Sequence, residues 1–140
     1  MDIEFITNNW YLFAALIVIS LLIGIDTMRR GAGHSTQISA VQLPQFINHE
    51  NAVVVDVCDS EEFRKGHIPS AINIPAAEVK DSLDRLQKYR AKDRPIVLSC
   101  RNGQRASRSA GILRKNEFKR VYTLSGGLAA WEKENLPIER

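Results

Sequence analysis

Hydrophobic positions along the 140-residue chain fall into two patterns. From Trp10 to Ile25 every residue except Ser20 and Gly24 is hydrophobic. That run has neither the period of two of a half-buried strand nor the one-sided stripe of a surface helix. From Gln37 onward, short apolar runs alternate with amphipathic stretches. Ala52–Val57 (AVVVDV) and Pro95–Ser99 (PIVLS) are β-branched runs of the kind buried on both faces of a parallel sheet. Pro95 stands at the first strand position, where its missing N–H is tolerated. Ala71–Ile74 and Arg120–Leu124 are shorter strand candidates. Helices are predicted between them. Ser39 and Gln42 form a capping box for a helix through Asn48, with Pro44 disturbing its early turns. Glu78–Lys88 places Val79, Leu83 and Leu86 on one face, Gln104–Lys115 does the same with Ala106, Ser109, Ala110 and Leu113, and Gly127–Glu134 is the last helix. Strands alternating with helices predict an open α/β sheet, in which ligands sit beyond the carboxyl ends of the strands.

The apolar run has its own consequence. No charged side chain occurs between Glu4 and Asp26, and a helix spanning that gap reaches about 31 Å, against a hydrocarbon core of about 30 Å. The strictly apolar part, Trp10–Ile25, reaches only about 24 Å on the same rise, so Asn8, Asn9 and the residues after Ile25 must complete a span. Trp10 and Tyr11 suit an interfacial aromatic belt. Asp2 and Glu4 precede the run, and no small-x-small site follows it, which excludes a cleavable signal peptide. The expectation is a membrane anchor over residues 1–30, crossing at about 8–27, then a linker over 31–36 (GAGHST begins at Gly31) and one domain over 37–140. Arg29 and Arg30 flank the C-terminal end of the run. By the positive-inside tendency the N-terminus lies outside and the domain in the cytoplasm, as at a bacterial inner membrane.

Charge and composition narrow the function. The net charge is +3 and the pI about 9.0, yet the basic residues are interleaved with acidic ones in Asp81–Arg94 and Glu117–Arg120, so no nucleic-acid partner is expected. Two cysteines exclude a disulfide framework and a Cys-rich zinc domain, and 8 Gly and 5 Pro without period exclude a collagen-like chain.

The carboxyl end of the second buried run carries the chemistry. Cys100-Arg101-Asn102-Gly103-Gln104-Arg105 is a cysteine at a strand end, then a tight loop, then a helix. The peptide N–H groups of such a loop converge into an anion-binding nest, reinforced by the helix N-terminus, and Gly103 permits the curl. Arg101 and Arg105 add positive charge. A thiol in that setting is favoured as thiolate and is nucleophilic; the competing reading is an inert, buried cysteine capping a strand.

Here the chain resembles the single-domain rhodaneses, the sulfurtransferase module. The loop CRNGQR matches the family's C-x-x-G-x-R. Asp56-Val57 with Glu62-Phe63-Arg64-Lys65-Gly66-His67-Ile68-Pro69-Ser70-Ala71-Ile72-Asn73-Ile74-Pro75 matches D-V-R-x-x-x-E-F-x-x-G-H-I-P-G-A-x-N-I-P. Leu124-Ser125-Gly126-Gly127-Leu128-Ala129-Ala130-Trp131 matches the C-terminal signature. The resemblance runs from about Gln37 to Ile138 and implies an open, mostly parallel five-stranded sheet flanked by helices. It implies that Cys100 takes the outer sulfur of thiosulfate or a persulfide, holds it as a cysteine persulfide, and passes it to a thiol or a sulfur-accepting protein. The loop from Arg101 through Asn102, Gly103 and Gln104 to Arg105 would bind the persulfide, with no metal and no cofactor. Cysteine phosphatases place five residues between Cys and Arg; here four intervene before Arg105, a smaller cradle. Two readings of another kind stand beside this one: a membrane-tethered binding or scaffold module, and a dedicated persulfide relay with little thiosulfate turnover.

Asp56 is expected to brace the loop arginines and Glu62 to join a polar network, while His67 belongs to a structural turn. Gly126 and Gly127 turn the chain into the last helix, where Trp131 packs. The sequence departs from the family where Cys58 replaces the Arg after D-V and Ser70 replaces the Gly after I-P. Cys58 is either a small buried residue or a resolving thiol for Cys100.

Overall fold

The computed structural model describes residues 2–31 and 36–140. The chain divides into two compact units, Met1–Ser35 and Thr36–Arg140.

The first unit holds α1 (Ile3–Asn8) and α2 (Trp10–Gly31). Asn9 separates them: its side-chain amide donates to the Phe5 carbonyl at 2.9 Å and its backbone N–H to Ile6, closing α1 at a turn. The apolar side chains between Trp10 and Ile25 are exposed around the helix. Among the described residues no helix is long and apolar enough to cross a membrane. The transmembrane span expected at about 8–27 is thus not supported. The apolar stretch is about 24 Å long by its rise, and Asn9 ends α1, so Asn8 does not extend the α2 rod. The linker expected at 31–36 falls largely on residues 32–35, outside the described residues.

The second unit is a five-stranded parallel sheet in the order β1-β5-β4-β2-β3. Its strands are β1 (Gln37–Ile38), β2 (Val53–Asp56), β3 (Ile72–Asn73), β4 (Ile96–Ser99) and β5 (Val121–Leu124). β2 and β4 are buried at every position, as their apolar runs Val53–Val55 and Ile96–Leu98 require between two helical layers. One layer packs Val55, Leu98 and Val121 against Ala106, Ala110 and Leu113 of α6 (Gln104–Lys115) and Leu86 of α5 (Leu83–Ala91). The other packs Val54, Val97 and Leu124 against Leu43 of α3 (Leu43–Glu50) and Leu128 and Trp131 of α7 (Gly127–Lys133). The indole N–H of Trp131 is satisfied by the Pro137 carbonyl at 2.8 Å.

The local differences from expectation have local causes. The capping box forms, with Gln42 N–H on Ser39 Oγ at 3.2 Å and Ser39 N–H on Gln42 Oε1 at 3.3 Å, but regular helix begins only at Leu43, beside Pro44. The helix expected over Glu78–Lys88 is a 3₁₀ segment, Ala76–Asp81, followed by α5, with Ser82 breaking them at φ −114. Two elements carried no hydrophobic period to announce them: β1, two residues long, and α4 (Ser60–Lys65), which is polar apart from Phe63.

Candidate active site

Because all five strands run the same way, β2, β4 and β5 end on one edge of the sheet, and Asp56, Ser99 and Leu124 bring their following loops together there. Cys100 immediately follows β4 and is fully buried. Its Sγ accepts the N–H of Gly103 at 3.0 Å and that of Ala106 at 3.4 Å, and lies 3.9 Å from Asn102 Oδ1. Asn102 Oδ1 also accepts the Gln104 N–H at 3.1 Å, which fixes the turn into α6. Gly103 holds φ +97, a left-handed conformation that costs a side-chain-bearing residue about 1 kcal/mol or more.

The loop's carbonyls are dealt with from the other side. Cys100 O accepts the Leu128 N–H at 2.8 Å and Arg101 O accepts the Ala129 N–H at 3.2 Å, so the first turn of α7 turns both carbonyls away from the sulfur. Gly127, at φ +61, makes this possible: a Cβ there would run into Cys100 O and Arg101 C and O. Gly127, read together with Gly126 as a plain turn, is thus the contact through which α7 buttresses the cysteine loop. Sequence reasoning missed that role, although the adjacency of two glycines to a helix start was its available signal.

Glu62, expected only to join a polar network, pairs with Arg105 in a two-pronged ion pair, with NH1 to Oε1 at 3.1 Å and NH2 to Oε2 at 2.9 Å. The unanticipated α4 delivers Glu62 to this position. The hydrogen-bonded Arg105 guanidinium holds the Glu62 carboxyl below its ordinary range, and Glu62 in turn pushes the Arg105 guanidinium up. Arg101, Asn102 and Gln104 are exposed at the mouth. Asp56 is placed otherwise than expected: its Oδ1 accepts the Cys58 N–H at 2.8 Å, so it braces the turn after β2 by direct hydrogen bonding. Its burial pushes its carboxyl up. Asn73, a residue not singled out from the sequence, ties the same turn by donating to the carbonyls of Asp56 at 3.1 Å and Cys58 at 2.9 Å.

Cys58 is buried, with its sulfur 3.8 Å from an Arg105 nitrogen. Burial first, then the Asp56 charge, push its thiol up to about 12. Both cysteines are free thiols. His67 stacks on Phe63 with ring centroids 3.7 Å apart, its Nδ1 is 2.8 Å from the Phe63 carbonyl, and its backbone pairs with Glu139. Ser70 takes φ +63, the left-handed conformation that glycine adopts without strain. Among the described residues no cluster of His, Cys, Asp or Glu has the arrangement to hold a metal ion.

A cysteine at the carboxyl end of a parallel strand, with backbone N–H groups aimed at its sulfur and an arginine closing the loop, defines a domain built to hold a small anion on a thiol. Residues 39–134 match the rhodanese-like domain model. The uncharacterized protein YibN of Escherichia coli is 32% identical over 138 residues, covering 98% of this chain and 95% of that protein. The thiosulfate sulfurtransferase GlpE of Actinobacillus pleuropneumoniae is 29% identical over 104 residues, covering 74% of this chain and 93% of GlpE. Among solved structures, the BH2092 protein of Bacillus halodurans superposes with a TM-score of 0.66 at 30% identity, covering 86% of this chain and 85% of that one. A rhodanese-related protein of Thermoplasma volcanium gives 0.65 at 25% identity, over 74% and 96%. The chain belongs to the rhodanese-like domain family.

Proposed function

We propose that the domain is a sulfurtransferase in which Cys100 attacks the outer sulfur of a small donor, thiosulfate or a persulfide, carries it as a persulfide, and yields it to a thiol or a sulfur-accepting protein. The observation that carries this reading is the convergence of the Gly103 and Ala106 N–H groups on Sγ while α7 takes the loop's carbonyls. Preorganised N–H donors stabilise an anionic sulfur without reorganising during the reaction. Arg101 at the mouth draws anionic donors, and Arg105, clamped by Glu62, holds the first turn of α6 in register with the loop. The full chain, reduced and incubated with a sulfane donor, should gain one sulfur on Cys100 by mass spectrometry and transfer it to cyanide. Cys100→Ser should do neither; equal behaviour of the two proteins would defeat the enzymatic reading.

Residence at a membrane, with the domain on the cytoplasmic side, is proposed from the sequence alone: an all-apolar run with Arg29 and Arg30 after it. Attachment then runs through the apolar surface of α2. Recovery of the full chain in the soluble fraction of lysed cells, or cleavage of the domain by protease added outside intact cells, would refute it.

A further inference from the structure

The charges around Cys100 nearly cancel. Arg105 is engaged by both oxygens of Glu62, at 2.9 and 3.1 Å. Asp56 sits buried beneath the same edge of the sheet, close enough that its charge and that of Arg105 act on one another. Two guanidinium groups, Arg101 and Arg105, thus share this end of the sheet with two carboxyl groups, Glu62 paired to Arg105 and Asp56 buried and held by the Cys58 N–H. Cys58 occupies the position where the aligned motif has an arginine, 3.8 Å from the Arg105 guanidinium and buried. It brings none of the positive charge an arginine would bring, and with its thiol pushed up to about 12 it stays neutral.

A cluster of zero formal charge discriminates among donors by their charge. Thiosulfate brings two negative charges on a small ion; a carbon-bound persulfide brings at most one at its reacting end. Accepting the sulfur-transfer reading above, we propose that Cys58 and the Glu62–Arg105 pair set the donor class, favouring carbon-bound persulfides over the thiosulfate dianion. In the step, the Cys100 thiolate attacks the outer sulfur of R–S–SH. The Sγ–S bond forms as the donor's S–S bond breaks, and the bonding pair leaves with R–S. That thiolate takes up the proton, leaving an anionic persulfide on Cys100 and free R–SH. No oxidant or reductant enters. The N–H groups of Gly103 and Ala106 receive the anion thus produced.

One added positive charge about 6 Å from the donor, in a water-like dielectric, is worth about tenfold for a dianion and about threefold for a monoanion. Rapid-quench mass spectrometry on the full chain gives the second-order rate of Cys100 loading from thiosulfate and from cysteine persulfide. The wild type should load faster from cysteine persulfide. Cys58→Arg adds one charge and Glu62→Gln removes one of opposite sign. Cys58→Arg should raise the thiosulfate rate about tenfold and the persulfide rate no more than about threefold; Glu62→Gln, which also loosens the Arg105 clamp and so slows both, should raise the ratio of the thiosulfate rate to the persulfide rate about threefold, and 0.5 M salt should shrink the difference. Glu62→Gln keeps the test valid where Cys58→Arg fails to fold. A rate ratio that neither variant moves, or a wild type faster with thiosulfate, overturns the assignment of donor class alone. No loading from either donor overturns the sulfur-transfer reading, and this inference with it.

Discussion

Gly127→Ala tests whether the α7 buttress shapes the cysteine loop. Gly127 sits at φ +61, and an added Cβ would meet the Cys100 carbonyl and the Arg101 carbonyl group, all backbone atoms. Backbone cannot swing aside as a flexible side chain does, so the loop and the first turn of α7 must part. The left-handed conformation costs an alanine about 1–2 kcal/mol. Parting the two segments forfeits the bonds from Leu128 N–H to Cys100 O and from Ala129 N–H to Arg101 O, each worth about 1 kcal/mol net. The expected loss is about 3 kcal/mol, a fall in Tm of roughly 10–20 °C for a domain of this size. Persulfide loading of the folded fraction should also fall at least tenfold, because the N–H groups lose their aim at Sγ. Gly126→Ala is the control. It shares the positive φ, at +72, but its Cβ would strike the Ala130 side chain. It should lower Tm while leaving the loading rate per folded molecule near that of the wild type. Urea or thermal unfolding gives the first quantity and rapid-quench mass spectrometry the second. If Gly127→Ala stays within about 0.5 kcal/mol of the wild type, or loads as fast, α7 does not hold the loop and the argument is wrong.

Three further outcomes follow from the site. Arg105→Lys replaces a two-pronged clamp by a point charge; the pair is about one-third exposed, so solvent screening limits the stability loss to about 1 kcal/mol or less, while Cys100 loading should drop several-fold, and full activity in the lysine variant would argue against a positioning role. The depressed Glu62 carboxyl makes its pairing stabilise the fold fully above the unfolded carboxylate range of about 4.3, with that contribution lost as pH falls through the lower folded value; Glu62→Gln should therefore remove part of the acid dependence of urea unfolding between roughly pH 5 and 3, and an unchanged acid limb would contradict the shift. Cys58, protonated up to about 12 and buried, should resist iodoacetamide at pH 8 in the native protein, where roughly one thiol in ten thousand is ionised. Rapid native alkylation at Cys58, or a Cys58–Cys100 disulfide under mild oxidant, would restore the resolving-thiol reading.

Much of this molecule is legible in local sequence because its core strands are buried on both faces. Ala52–Val57, broken only by Asp56, and Pro95–Ser99 carry dense apolar runs for that reason, and they locate Cys100 at a strand end, since the loop after it is short and begins with polar residues. α6, with Ala106, Ala110 and Leu113 recurring on one face, is equally plain. The cysteine loop was found for its own spacing, C-x-x-G-x-R, and the matched motif marked Glu62 as part of a polar network without naming Arg105 as its partner.

Tertiary structure alone decided the rest. β1 and α4 are too short and too polar for a hydrophobic period to show them; β5 offers β1 a paired edge, and Arg105 holds the α4 segment through Glu62. Asp56 turned from the arginines to the Cys58 N–H because a buried carboxylate takes the nearest backbone donor available to it. The aim of the loop's N–H groups at sulfur required a helix 27 residues after Cys100 to take its carbonyls, Gly127 being the contact point. Chain order determined which side chains were available; the parallel sheet, by ending its strands on one edge, decided which of them meet at the thiol.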